Sequence, residues 1–267
     1  MTDPREHLDL LARAELAPVG VLSEASNVTV LADLLGDDGA PTGHRVVYKP
    51  VRGERPLADF PTGTLALREV AAYLVSEVGG WHLVPPTVLR DGPLGPGSAQ
   101  LWMEVEDAGR PASGLVDVLA PEELGPGWLP VVQAEDEHGR PLVVAHADDE
   151  RLRALALLDA VIDNADRKAA HVGQADGRLW AFDHGLSFNL APKLRTVLWG
   201  WAGEPLAPPE QDQVRAVRAA AGPDGPLGDL LAEEELLVLQ DRLDRMLATG
   251  RMPAPPPDRY PLPWPLW

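Results

Sequence analysis

The tightest constraint on this chain is a polar stretch held between two apolar runs. Asp163-Asn164-Ala165-Asp166-Arg167-Lys168-Ala169-Ala170-His171 and, a little further on, Ala181-Phe182-Asp183-His184-Gly185 gather carboxylates, an amide, two cations and two of the seven histidines. Leu155 to Ile162 runs into the first part, and Leu179 to Phe182 leads into the second. Charged groups bracketed by core-forming runs must be paired or sit at the mouth of a cleft, because burying them alone is too costly. A polar surface loop between a helix and a strand also satisfies that constraint. The remainder of the chain decides between the two.

With 267 residues there is enough chain for one large domain or two lobes around a substantial core. No uncharged apolar run approaches the ~20 residues that span a bilayer, so no integral membrane association is expected. The opening Met1-Thr2-Asp3-Pro4-Arg5-Glu6 is charged and has no apolar segment behind it, unlike a signal peptide. The absence of cysteine excludes disulfides, zinc-thiolate sites and thiol catalysis. Together these point to a cytoplasmic protein. A net charge of -18 argues against a nucleic-acid or anionic-membrane binder, but allows a small anion held in a local basic pocket. Only three of the 23 basic residues are lysine: Lys49, Lys168 and Lys193. Where arginine is the default cation, a lysine marks a place suited to a compact ammonium.

Taken in order, residues 4–16 have the spacing of a helix, ended by Pro18 and Gly20. Val19 to Leu22 and Val28 to Leu31 read as a hairpin around Ser23-Glu24-Ala25-Ser26-Asn27. Its amides can cover a phosphate, although it lacks the glycines of a strong phosphate loop. After a turn-rich loop at 36–43, Arg45 to Lys49 is a strand stopped by Pro50. A helix follows to about Val78, with Leu67, Val70, Ala71, Leu74 and Val78 on one stripe and Glu69 at its edge. Strands at 84–89 and 98–105 precede a polar segment, 106–113, that suits a hinge. Residues 114–147 look irregular. Asp148 to Ile162 is the clearest helix, with Leu152, Leu155, Ala156, Asp159 and Ile162 at helical spacing. Short strands at 172 and 178–182, a Trp-rich loop and helices near 208–221 and 233–249 follow. The Pro-rich tail from Pro253 to Trp267 is expected to lie extended on the surface, anchored by its tryptophan rings.

These pieces make up a part list for phosphoryl transfer from a nucleotide. A triphosphate needs a fixed ammonium, which Lys49 at the end of a strand supplies. Glu69, on the next helix, can hold that ammonium in place. A divalent cation wants hard oxygen ligands, and Asp183 offers them. An acceptor hydroxyl needs a carboxylate to orient it and take its proton, which suits Asp166. Lys168, two residues later, can meet charge developing on the transferred group.

Val47-Tyr48-Lys49-Pro50, Leu67-Arg68-Glu69-Val70-Ala71-Ala72-Tyr73-Leu74, Asn164-Ala165-Asp166-Arg167 and Phe182-Asp183-His184-Gly185 resemble the phosphatidylinositol 3-/4-kinase-like branch of the protein-kinase fold. The wording is nearest to the type II phosphatidylinositol 4-kinases, with a more distant similarity to HipA-type kinases. The resemblance covers roughly residues 19–190. It implies an α+β, two-lobed fold: a small, mainly β N-lobe with one helix (1–106) and a larger, mainly helical C-lobe (107–267). It also implies ATP with magnesium or manganese as cofactors. By this resemblance Lys49 binds the α/β-phosphates and Glu69 is its ion-pair partner. Met103, Glu104 and Val105 would contact adenine, and the Ser26-Asn27 turn would cover the phosphates. Asp166 is then the catalytic aspartate and Asp183 the metal ligand.

One position departs from that pattern. The family carries asparagine five residues after the catalytic aspartate as a second metal ligand, and here that position is His171. Imidazole suits manganese or a transition metal better than magnesium. Either one metal suffices, or His171 changes the metal preference, or the site is degenerate; Asn164 is a candidate to compensate. The expected function is an ATP-dependent kinase acting on a hydroxyl of an unidentified small molecule, protein or peptide. A nucleotide-binding pseudokinase, an AMP transferase on the same fold, and a metal hydrolase using Asp163, Asp166, His171, Asp183 and His184 are the alternatives. No stretch of sequence specifies the acceptor or an oligomeric state.

Overall fold

A computed structural model describes residues 4–22, 27–106 and 114–267. Ser26 and all but Glu106 of the hinge expected at 106–113, with the lobe boundary beside it, lie outside the described residues. The chain opens with α1 (Pro4–Arg13) and then lays down β1 (Glu15–Val21), β2 (Val30–Leu35) and β3 (Pro41–Pro50). Helix α2 (Leu65–Val78) follows, then β4 (Thr87–Gly92) and β5 (Gly95–Leu101). The five strands form one antiparallel sheet in the order β1-β2-β3-β5-β4. The helix expected over 4–16 stops at Arg13. Leu16, which fits a helical stripe, is instead buried in β1 opposite Leu34. Alternation along β2 and the end of β3 buries Val30, Ala32, Leu34, Val46 and Tyr48 together with Leu11 of α1. Strand β5 approaches the end of β3 closely at Gly97, where a Cβ would lie 2.4 Å from the Lys49 carbonyl oxygen. Glycine at this position lets the ladder reach Lys49.

Helix α2 has two working faces. Ala71, Ala72, Tyr73 and Val75 pack into the large core that also holds Leu152 to Ile162, Val214, Leu239 and Leu243. The helix therefore lies in the small half by sequence and is packed against the large half by contact. Arg68 is fully buried and makes that junction specific. Its guanidinium pairs with Glu235 and donates to the carbonyls of Ser187 (2.7 Å) and Phe188 (3.1 Å). Phe60 lies under its face, 4.7 Å from the ring centroid.

The segment 114–147, expected to be irregular, is a three-stranded antiparallel sheet. β6 (Val116–Leu119) and β7 (Trp128–Glu135) flank β8 (Pro141–Ala147). Its turns are dense in proline and glycine, which masks short strands with little alternation. Helix α3 (Glu150–Ile162) starts at Asp149, whose side chain accepts from the Arg151 N–H. It ends at Asp163, which takes a left-handed backbone with φ 53°. The hairpin of β9 (Val172–Ala175) and β10 (Arg178–Ala181) follows, then α4 (Pro208–Ala220) and α5 (Glu233–Thr249). The result is an α+β architecture with a sheet-based N-lobe and a mainly helical C-lobe. No helix among the described residues is long and apolar enough to cross a membrane.

Replacing Arg68 by methionine leaves Glu235 as a buried, uncompensated carboxylate. The expected cost is ~3–5 kcal/mol of unfolding free energy, measured by urea denaturation. Adding Glu235→Gln to the same chain should recover part of that loss.

Candidate active site

The cleft between the sheet and the large lobe has a volume of about 550 Å³, within the range of small-molecule sites. Its walls include Asn27, Lys49, Glu69, Met103, Val105, Asp166 and Asp183. Residues spread over most of the sequence thus meet in one place.

Lys49 is the hinge pin of the arrangement. Its Nζ lies 2.5 Å from Glu69 Oε1 and 2.9 Å from Asp183 Oδ1. Glu69 is buried, and its other oxygen accepts the His184 backbone N–H at 3.0 Å. One carboxylate of α2 therefore aims the ammonium of β3 and also fixes the backbone next to Asp183. Burial opposes the charge on Lys49, but Asp183 and Glu69 outweigh it and raise Lys49 above its ordinary value. The Lys49 charge, working against the cost of burial, holds Asp183 well below the usual carboxylate range. Burial lifts Glu69 above its own, against the pull of Lys49. Asp183 has φ 56°, a left-handed backbone that aspartate tolerates better than most residues. Its side chain stays 53% exposed although it lies at the cleft floor, so water and ligands reach it.

Asp166 sits across the cleft, and its N–H donates to Asn164 Oδ1 at 3.0 Å. Burial pushes its carboxyl up to about 6, against the pull of Lys168, whose Nζ lies 3.1 Å from Asp166 Oδ2. A carboxylate with a near-neutral pKa is suited to taking a proton. His171 Nδ1 lies 3.0 Å from the Asp166 carbonyl oxygen, which can only accept, so this nitrogen carries the proton. Nε2 then presents a lone pair, 3.5 Å from Asp183 Oδ2. Burial brings His171 down to about 4, in keeping with a neutral ring. A carboxylate oxygen and an imidazole lone pair facing each other fit a divalent cation, and the carbonyl anchor on Nδ1 is the usual support for a ligating histidine. No group of three or more candidate metal ligands occurs among the described residues. The remaining ligands would be phosphate oxygens and water, as is common for magnesium.

The scaffold of the loop is a feature that the motif reading missed. Asp159 and Arg167 are both fully buried and form a forked pair, with Arg167 Nε 2.9 Å from Asp159 Oδ2 and Nη2 2.9 Å from Oδ1. Arg167 also donates to the carbonyls of His171 (3.1 Å) and Phe182 (2.9 Å) and to His184 Nε2 (2.7 Å). One guanidinium thus joins α3, the loop at 166–171 and the segment carrying Asp183. The signal was an aspartate, Asp159, on the apolar stripe of a helix.

Several expectations need correction. Asn164 does not reach toward a metal, because Nδ2 donates to Asp159 and Oδ1 accepts from Asp166, both inside the fold. Glu104 turns its side chain to solvent and accepts from the Trp102 indole, so only Met103 and Val105 line the cleft. The backbone groups of Met103–Val105 make no hydrogen bond among the described residues, leaving them for a ligand. Asp163 is used by the Lys193 N–H and Arg242, and Nε2 of His184 by Arg167, with both residues buried, which does not favour a hydrolase ligand set. Asn27 borders the cleft and accepts from the Arg55 N–H at 2.8 Å.

No protein-family model matches the chain. Protein Rv2133c of Mycobacterium tuberculosis (strain ATCC 25618 / H37Rv) is 45% identical over 266 residues, covering 96% of this chain and 94% of its own. The chain belongs to the same family as that protein. Among solved structures, the Golgi casein kinase aligns with 93% of this chain and 75% of its own, with a TM-score of 0.54 and 14% identity. Its structure with Mn and ADP bound gives 0.55 and 13%, over 93% and 76%. Hydra Fam20 with sugar gives 0.50 and 15%, over 91% and 86%. At these identities the likeness establishes the fold, which is protein-kinase-like.

Arg167→Lys keeps the charge and loses the fork. Amide exchange in residues 168–171 should speed up by ~10-fold or more, equivalent to about 1.4 kcal/mol of lost protection, while α5 amides stay unchanged.

Proposed function

We propose that this member of the Rv2133c family is an ATP-dependent kinase that moves a phosphoryl group to a hydroxyl of a small molecule, protein or peptide. The observation that carries the proposal is Lys49, held at once by Glu69 on α2 and Asp183 after β10. Burying the Glu69 carboxylate costs desolvation, and the ammonium it holds lines an open cleft. That expense has a reason if the cleft receives phosphates. The four motifs resemble those of the phosphatidylinositol 3-/4-kinase-like branch of the fold, which supports this reading.

In this reading the adenine lies against Met103 and Val105, whose free backbone groups supply its hydrogen bonds. Asn27, which borders the cleft, lies where it can cover the phosphates. Lys49 binds the α/β-phosphates as a point charge, and Glu69 keeps it from collapsing fully onto Asp183. Asp183 and His171 would hold a divalent cation, which would supply positive charge to offset that of the phosphates. Asp166 orients the acceptor hydroxyl and accepts its proton. Lys168, beside it, balances charge on the group in transit. The imidazole shifts the metal preference toward manganese. The acidic surface disfavours an acceptor embedded in an anionic membrane, and a cytoplasmic setting suits an ATP-dependent enzyme.

Labelled ATP with each metal tests the proposal. Asp166→Asn should lower turnover by ~10²–10³-fold and leave ADP binding intact. Lys49→Ala and Asp183→Ala should lose binding as well. Unchanged ADP affinity in both would overturn the nucleotide site. His171→Asn should lower the ratio of manganese-supported to magnesium-supported turnover, and an unaltered ratio would remove His171 from the metal.

A further inference from the structure

The end of the chain plays no part in the function proposed above, yet it touches the loop that carries Asp166. Residues 253–267 contain no helix or strand. The Leu266 carbonyl accepts the Ala169 N–H at 2.9 Å. Ala169 directly follows Lys168 and lies in the same loop as Asp166. The Pro261 carbonyl accepts twice, from the Thr196 N–H at 3.2 Å and from the Trp199 indole at 2.9 Å. Leu262 and Pro263 are buried, and Leu266 and Trp267 pack against the large core. Trp264 is 80% exposed, so backbone carbonyls and leucines hold the tail while this ring, expected to anchor it, does not.

Thr196 shows how the contact works. Segment 195–197 runs beside the loop: Arg195 N–H donates to Asn164, Arg167 N–H to Arg195 and Val197 N–H to Arg167, at 2.9, 3.0 and 3.2 Å. In an extended segment successive N–H groups face opposite sides. The Thr196 N–H therefore faces away from the loop, and Thr196 is buried, so it needs a partner. Pro261 is that partner. Five residues on, Leu266 pins the next turn of the loop at Ala169. Arg167 braces the loop from within the fold, and the tail braces it from the other side.

We propose that residues 261–267 are a strap that positions the catalytic loop, setting Asp166 and Lys168 against the acceptor. The proposal rests on the kinase reading of the cleft. The strap meets the loop at the Ala169 backbone N–H, so its residues position the reacting groups without meeting them. A misplacement of about 1 Å at such groups can cost ~10²-fold in rate.

The test compares the full chain with one ending at Tyr260, using ADP binding, steady-state phosphoryl transfer and amide exchange. The shortened chain should bind ADP within ~3-fold and keep its KM for ATP, while kcat falls ~10–100-fold. A synthetic peptide of residues 258–267 added in trans should restore kcat. Trp264→Ala should change neither parameter. Leu266→Ser, which removes the core packing that seats the Leu266 carbonyl against Ala169, serves if the shortened chain does not fold, and should lower kcat with ADP affinity retained. In either variant the Ala169 amide should exchange ~10-fold faster or more. An unchanged kcat, or an unchanged Ala169 amide, would overturn the strap. If the full chain itself transfers no phosphoryl group, the kinase reading fails, and exchange at Ala169 still decides the strap.

Discussion

The buried fork between Arg167 and Asp159 is the interaction on which the rest of the site depends. Both side chains are withdrawn from water, so the pair persists only because every donor of the guanidinium finds an acceptor. Those acceptors come from α3, from the loop at His171, from Phe182 beside Asp183, and from His184. Satisfying one charge therefore sets the distance between the segment of Asp166 and the segment of Asp183. His184 stays neutral because burial and the adjacent Arg167 both depress its pKa. Its Nε2 is then free to accept from the guanidinium. A burial cost has been converted into a fixed geometry for two carboxylates that line one cleft.

Helix α2 brings the small sheet to that geometry. Its neighbouring residues Arg68 and Glu69 point to different partners. Arg68 goes to Glu235 and the 187–188 carbonyls of the large lobe, and Glu69 goes to Lys49 and the His184 N–H. Any tilt of α2 that disturbs one contact disturbs the other. The position of the Lys49 ammonium is thus referred, through a single helix, to the same large-lobe frame that holds Asp183.

Local signals carried much of this. The strand ending at Lys49, the helix bearing Glu69 and the helix leading to Asp163 were legible because apolar periodicity and stop residues agree along each. Asp166 and Asp183 were legible because charged residues between apolar runs need a reason to be there. The sheet at 116–147 was not, because its strands are short and crowded by prolines and glycines. Nor was the role of Arg167, which has the same letter as nineteen other arginines, three lysines making up the rest of the basic residues. Only its partner Asp159, a carboxylate on a buried stripe, marked it.

Sequence by itself determined which charged and polar residue types the chain carries and the order in which it presents them. The tertiary structure decided which of them meet. Asn164 and His184 turned inward to satisfy buried partners, Glu104 turned out to water, and His171 presented its free nitrogen to Asp183. These outcomes follow from hydrogen-bond closure among groups far apart in sequence, since a buried donor takes the acceptor that three-dimensional packing places beside it. No pattern along the chain encodes that choice.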